Sequence, residues 1–310
     1  MSDEKKLENS GSRLWNNRAG GGELFSRHKS RRYGKIKNRR LELRILISLV
    51  IGLIIVAIFG ENLAPHDPFA TSSDMVYLPP SWEYPLGTDS LGRCMLCRII
   101  VGLRSSLLSA VVVVACAFAL GTFLGIAAGY FGGWIDRVVM WLITSFQTFP
   151  SFLLAVVIAG FLGTGIENAC IALIVVYWTT FARMSRSVVI SLKERTFIKA
   201  AELSGCSNAR IITRHILPNI SSYMLVIATG DVGSVILSMA GLSYLGLGMV
   251  RPTSDLGVML AESQSQLFVA PQIMIMVGVC LSLLVLLFNL LGDALRDYLE
   301  DREKAAEINA

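Results

Sequence analysis

The stretch "KAAELSGCSNARIITRHILP", Lys199 to Pro218, is polar and lies between long apolar runs. Ala200, Ala201 and Gly205 recur at helical spacing, which predicts a short helix with one nearly bare face able to lie close against another protein. Lys199, Glu202, Arg210 and Arg214 surround that face. The segment closes at Leu217 and Pro218, since proline lacks an N–H and is best tolerated in the first turn of the helix that follows. A docking knob carried between membrane-length runs is the feature around which the rest of the chain is read.

Composition sets the class. Of 310 residues, 53% are hydrophobic and 16% charged, whereas about a quarter of an ordinary soluble domain is charged. The chain therefore reads as an all-α polytopic membrane protein. A net charge of +5 does not point to nucleic acid, because 12 of the 28 lysines and arginines precede residue 41, ahead of the first apolar run. Basic residues placed there set topology and favour anionic lipid head groups. The six cysteines imply no disulfide framework, since Cys116, Cys170 and Cys280 sit inside apolar runs as small hydrophobes. Forty mostly polar residues precede the first run and no small-residue cleavage site follows it, so a cleaved leader is not expected.

A membrane helix takes about 20 apolar residues. Six runs qualify: Leu41–Gly60, Leu107–Phe131, Val138–Leu162, a short one at Ala169–Met184 whose length also suits a re-entrant segment, Ile220–Leu247 and Ile273–Leu291. The expected organisation is a basic, disordered cytoplasmic tail at 1–40, a first span at 41–60 and an extracytoplasmic loop at 61–106. A core of five further spans at 107–292 then contains the cytoplasmic loop 185–218, and a cytoplasmic tail follows at 293–310. With the N-terminus inside, the inner side gathers Arg44, Arg137, seven basic residues from Arg183 to Arg214, and Arg296, Arg302 and Lys304. The outer loops keep Arg93, Arg98, Arg104 and Arg251. This asymmetry places both termini and the Lys199–Pro218 loop in the cytoplasm of a multi-pass membrane protein. In the outer loop, Pro79, Pro80 and Pro85 predict an extended lead-in, and residues Asp89 to Ser105 a short amphipathic helix at the interface.

The two alanines, the glycine and the Leu-Pro of the Lys199–Pro218 loop resemble the EAA loop of permease subunits of binding-protein-dependent ABC importers. Lys199 stands where that family usually has glutamate, and His215 where it has isoleucine. Leu86, Gly87, Thr88, Asp89, Leu91, Gly92 and Arg93 resemble the outer lead of its dipeptide, oligopeptide and nickel permeases. So do "GYFGGWIDR" from Gly129, "SYLGLG" from Ser243 and "FNLLGDALRDYL" from Phe288, so that the likeness covers roughly residues 80 to 300. It implies a type I importer permease with six transmembrane helices, in which Lys199, Ala200, Ala201, Glu202, Gly205, Arg210, Leu217 and Pro218 form a coupling helix seated on an ATPase. The implied partners are a second homologous permease, two ATPase subunits that bind ATP and Mg, an extracytoplasmic binding protein and the lipid bilayer. No cofactor is expected in this chain. "ARMSRSVVISLKE" from Ala182 and "GTGIEN" from Gly163 look more like nickel permeases than peptide ones, and a dipeptide or oligopeptide cargo is the alternative.

The residues themselves supply no phosphate-binding GxxxxGK[ST] loop, no HExxH helix and no GxSxG elbow, which argues against an enzyme. The charge deep in an apolar run is Asp231, eleven residues into the fifth span, where an aspartate costs about 2.5 to 3.5 kcal/mol on insertion scales. It lines a translocation path and attracts a cationic cargo, or it is a structural acid bonded to a neighbouring helix. Ser234 beside it, and Gln147 with Pro150 in the third span, are weighed the same way: path residues, or ordinary features of a kinked bundle. Cys94 and Cys97 form an outer CxxC that is a soft-metal contact, an exposed oxidisable pair, or plain variation at positions where relatives carry aspartate and serine. A self-sufficient secondary transporter or channel is the competing class, opposed by small size and by no sign of an inverted repeat.

Overall fold

The computed structural model describes residues 39–60, 62, 64–250 and 253–309, with side chains as far as residue 301. Of the basic tail expected to be disordered at 1–40, residues 1–38 lie outside the described residues, whereas Arg39 and Arg40 already belong to the first helix. Among the described residues, ten α-helices follow one another: α1 Arg39–Gly60, α2 Met95–Phe131, α3 Gly133–Gln147, α4 Ser151–Leu162, α5 Ile166–Lys193, α6 Thr196–Leu203, α7 Asn208–Ile211, α8 Leu217–Tyr244, α9 Leu256–Gln264 and α10 Pro271–Asn309. Among the described residues there is no sheet, only an isolated bridge between Thr88 and Cys94. Among the described residues five helices are long and apolar enough to cross a membrane, and six spans result if the bent pair α3–α4 counts as one.

Four expectations about the spans are corrected. The third run, read as one helix from Val138 to Leu162, is α3 and α4 meeting at 91°. Pro150 causes the break, because it supplies no N–H to continue α3 and forces its predecessor out of the helical region. The fourth run is not short: α5 has 28 residues, since Glu167, Asn168, Arg183, Arg186 and Lys193 continue the helix beyond its apolar middle. The second span begins 12 residues earlier than Leu107, at Met95, giving a 37-residue helix. Consequently the interfacial helix expected over Asp89–Ser105 does not exist as a separate element; Asp89–Arg93 is a loop and the remainder is the first part of α2.

The chain divides into two compact units. The smaller joins the start of α1 to the last turns of α10, where Arg39 pairs with Asp297 at 3.0 Å and Asp301 at 2.8 Å and Arg40 lies 6.0 Å over the Tyr298 ring. These are partly solvated ion pairs, worth about 1 kcal/mol or less each.

The larger unit, Ile47–Asp293, is built around α2, α5 and α8. Its most extensive contact, α2 on α5, follows from Gly121, Gly125 and Gly129, spaced four apart in "GTFLGIAAG" and so stacked on one helix face. A Cβ at Gly121 would stand 2.7 Å from Phe181 Cβ, and one at Gly129 2.9 Å from the Arg186 carbonyl oxygen. At Gly125 it would overlap Ser185 Oγ and the Ala182 carbonyl oxygen. Without lipid-excluding hydrophobic pressure between helices, such backbone-to-backbone packing is what holds a membrane pair together. The part of α1 in this unit buries Val50 and Ala57 and leaves Leu49, Ile51 and Ile58 exposed, as a helix with one lipid-facing side requires.

At one end of this unit an ion network joins the loop to α9. Arg98 contacts Asp89 at 2.7 Å and Glu262 at 2.8 Å, while Arg93 contacts the same two acids at 2.7 and 2.9 Å. Ser106 donates to Asp255, 2.7 Å away, and Asp255 caps α9 by accepting from Gly257 N at 3.1 Å.

Candidate functional site

At the opposite end, α2 stops at Gly132, whose φ of +65° suits glycine and lets the chain turn into α3. Arg186 of α5 grips Asp136 of α3 through both carboxylate oxygens, and Lys193 donates to the Tyr130 carbonyl at 2.7 Å. The α2–α3 corner thereby becomes a platform. The polar connection between α5 and α8 is moored to it: Tyr130 Oη donates to Asn208 Oδ1 at 3.0 Å.

This connection consists of α6, a turn, α7 and a π-helical turn over Ile212–Ile216 that runs into α8. Ile198, Ile211 and Ile216 are fully buried and anchor its back. Ser207 caps α7, accepting from Arg210 N at 3.4 Å. The expectation of one bare face made from Ala200, Ala201 and Gly205 needs correction. The helix ends at Leu203, Gly205 lies beyond it in a turn at φ +74°, and Ala201 is turned partly toward the core while Ala200 faces out. Glu202, Arg210, Leu217 and Pro218 are exposed, with Pro218 in the first turn of α8. Lys199 donates to Glu194 at 2.8 Å, and this ammonium holds the Glu194 carboxyl below its ordinary value.

Sequence reasoning missed the apolar part of this surface. Leu203 is 90% exposed, and Phe197 and Leu217 are also exposed. The signal was present: large apolar residues in a stretch otherwise chosen for polarity. Missed as well were the glycine stripe of α2, legible as GxxxGxxxG, and the network of Arg98 with Glu262.

Within the spans, Asp231 of α8 is half-buried and its Oδ2 is enclosed without a hydrogen-bond partner. It sits next to the closest crossing of α8 and α10, where a Cβ at Gly292 would stand 2.9 Å from Gly230 Cα. Two turns further on, Ser238 donates to the Ser234 carbonyl at 2.9 Å and shares a 3.1 Å hydrogen bond with Tyr177 of α5. Ser234 itself is exposed. Gln147, the last residue of α3, donates to Thr179 Oγ1 at 3.3 Å. Tyr177 and Thr179 are two apart on α5 and point to different sides of it, so Gln147 is not brought into one constellation with Asp231 and Ser234.

Cys94 and Cys97, weighed as an exposed pair, are both buried. Their sulfurs lie 2.9 Å apart at the start of α2.

Comparison with known proteins gives this geometry its context. Residues 121–305 match the family model described as "Binding-protein-dependent transport system inner membrane component". The nickel transport system permease protein NikC of Escherichia coli K12 is 37% identical over 261 residues, covering 84% of this chain and 94% of the relative. The dipeptide transport system permease protein DppC of Alkalihalophilus pseudofirmus is 39% identical, covering 88% and 90%. The glutathione transport system permease protein GsiD of Escherichia coli O6:K15:H31 is 40% identical, covering 82% and 84%. Among solved structures, a chain of the inward-facing MetNI methionine ABC transporter matches with a TM-score of 0.53 at 21% identity, covering 66% of this chain and 97% of the other, a likeness of fold. A family model spanning more than half the chain, together with relatives matched over most of their length, means that the chain belongs to the binding-protein-dependent transport system inner membrane components, the permease subunits of ABC importers.

Proposed function

We propose that this importer permease receives the ATPase stroke through the α6–α7 connection and passes a positively charged cargo, nickel or a nickel chelate, along α8. The observation that carries the coupling half is Leu203: a large apolar side chain left 90% exposed at the end of α6, in a connection whose back is anchored by the buried Ile198, Ile211 and Ile216. An exposed apolar tip on a fixed base is suited to a socket in another protein. Around it stand Lys199, Ala200, Glu202, Gly205, Arg210, Leu217 and Pro218, with Ala201 supporting from beneath. The cytoplasmic placement of this surface rests on the charge asymmetry, and Arg93 and Arg98, two of the few basic residues on the other side, are neutralised by Asp89 and Glu262. ATP and Mg bind the partner ATPases, and a second permease completes the path.

Replacing Gly205 with tryptophan tests the coupling half. No atom lies within 4 Å of the position a Cβ would take, and a non-glycine residue at positive φ costs about 1–2 kcal/mol, too little to unfold the bundle. Membrane insertion should therefore be normal while uptake falls about tenfold or more and the ATPase no longer co-purifies. Normal uptake with the ATPase still attached would remove the docking role.

The cargo half rests on Asp231, an enclosed acid oxygen without a partner. Its carboxylate suits a metal cation, and equally the ammonium group of a dipeptide, the second reading, which the dipeptide-permease relative favours. In vesicles holding the complete importer, labelled nickel is compared with a labelled dipeptide, for the parent and for Asp231→Asn. The expected result is nickel uptake reduced about tenfold by the loss of one charge, roughly 1.4 kcal/mol. Dipeptide uptake in place of nickel selects the second reading, and an unchanged rate in the variant takes Asp231 out of the path. Ion-gradient uptake by this chain alone would instead establish a secondary transporter.

A further inference from the structure

The loop between α1 and α2 brings His66 onto the two cysteines at the start of α2. One ring nitrogen of His66 and the Sγ atoms of Cys94 and Cys97 all lie within 4.8 Å of one another. Cys94 is the last non-helical residue and Cys97 belongs to the first turn, so the helix start aims both sulfurs the same way. His66 is held by its neighbour: its ring stacks on Tyr84 with centroids 4.6 Å apart and planes 17° from parallel. Around the sulfurs the surroundings are apolar, formed by Tyr84, Ala64, Met75 and Leu96.

Two facts need a chemical reason. The Nδ1 atom of His66 is shut away from solvent with no hydrogen-bond partner, and a buried polar atom left so costs roughly 1–3 kcal/mol. Two thiols also share this apolar space with it, their sulfurs closer than ordinary van der Waals contact. A single thiophilic cation answers to this donor set, taking a lone pair of the imidazole and replacing the thiol protons. The donor set, Cys-x2-Cys with a distant His, is that of zinc and copper(I) sites. Metal–sulfur bonds near 2.3 Å in tetrahedral geometry separate two sulfurs by roughly 3.7 Å, so the pair has to open by less than 1 Å. A fourth soft donor is at hand, since the Met75 thioether lies in the same cluster and accepts from Tyr84 Oη at 3.3 Å. His66 is half-buried, which leaves a route inward from the surface.

We propose that His66, Cys94 and Cys97 form a binding site for one thiophilic transition-metal ion of the zinc or copper(I) kind, which clips the loop following α1 to the first turn of α2. Binding displaces the thiol protons to solvent, and no electron moves. The site is independent of the cargo reading, because its ligands lie in the loop and at the start of α2, whereas Asp231 belongs to the middle of α8.

The test uses the full chain, purified in detergent, reduced and freed of metal, then titrated with cobalt(II) as a spectroscopic stand-in for zinc. One equivalent should bind and give thiolate-to-metal charge-transfer absorption with tetrahedral d–d bands, and zinc should displace it. Cys94→Ser with Cys97→Ser should abolish the absorption, and His66→Ala should weaken binding about tenfold or more. Cys116→Ser, at an exposed position of α2 away from the site, should leave it unchanged. His66→Ala separates this site from a simple disulfide, to which the imidazole is indifferent. Should the paired-cysteine variant fail to fold, His66→Ala and Cys97→Ser each still report the loss by titration. Cobalt bound equally well by all variants, or a reduced chain that takes up none, overturns the proposal.

Discussion

Gly125→Val keeps the bundle from closing. A Cβ at this position overlaps Ser185 Oγ and the Ala182 carbonyl oxygen, and the backbone of α5 cannot swing aside as a flexible side-chain tip does. Overpacking in a fitted interior costs typically 1–3 kcal/mol, occasionally more, and two further methyl carbons at a backbone contact put Gly125→Val at the upper end, about 3 kcal/mol. The loss is read as the melting temperature of the detergent-solubilised chain, followed by fluorescence-detected size exclusion. Gly125→Ala should show a smaller drop. Gly278→Ala, where no atom lies within 4 Å of a new Cβ, serves as the control with no loss expected. A Gly125→Val chain that melts with the parent would mean that α2 and α5 are not in backbone contact.

Arg98→Met should destabilise the chain by about 3–5 kcal/mol, the usual cost of removing one partner from a buried ion pair. The side chains of Arg98 and Asp89 are each 3% exposed, so water cannot take over the abandoned carboxylates. Asp89 and Glu262 would both lose this guanidinium while keeping their contacts with Arg93. Adding Glu262→Gln to Arg98→Met should recover part of the loss by removing the surplus charge, and the four melting temperatures of this cycle measure the coupling. Additive losses would show that Arg98 and Glu262 do not act on one another in the folded protein.

How much of this was legible beforehand depended on whether the information was local. The apolar lengths of α1 and α10 are local, and so is the halt at Pro150, although the 91° turn it produces was not. Reading α5 as short came from equating a span with its apolar letters, whereas Arg183, Arg186 and Lys193 extend the helix and two of them grip the α2–α3 corner. The ion network could not be foreseen, because Glu262 stands 164 residues from Arg98 and only the fold joins them. His66 likewise lies 28 residues ahead of Cys94 and became visible as a ligand through the path of the loop. On the connection after α5, the chemistry of the segment was legible but its geometry was not. Gly205 was read as part of a helix face, whereas its positive φ makes it the place where that helix has already ended.

The glycine stripe has a mechanical corollary. Two rods pressed together with nothing between them along eight residues of axis cannot slide or roll independently, because Phe181, Ser185 and Val189 are seated in the notches that Gly121, Gly125 and Gly129 leave open. A torque applied at the far tip of α5 would pass to α2 through these notches, and the pair would swing as one lever arm.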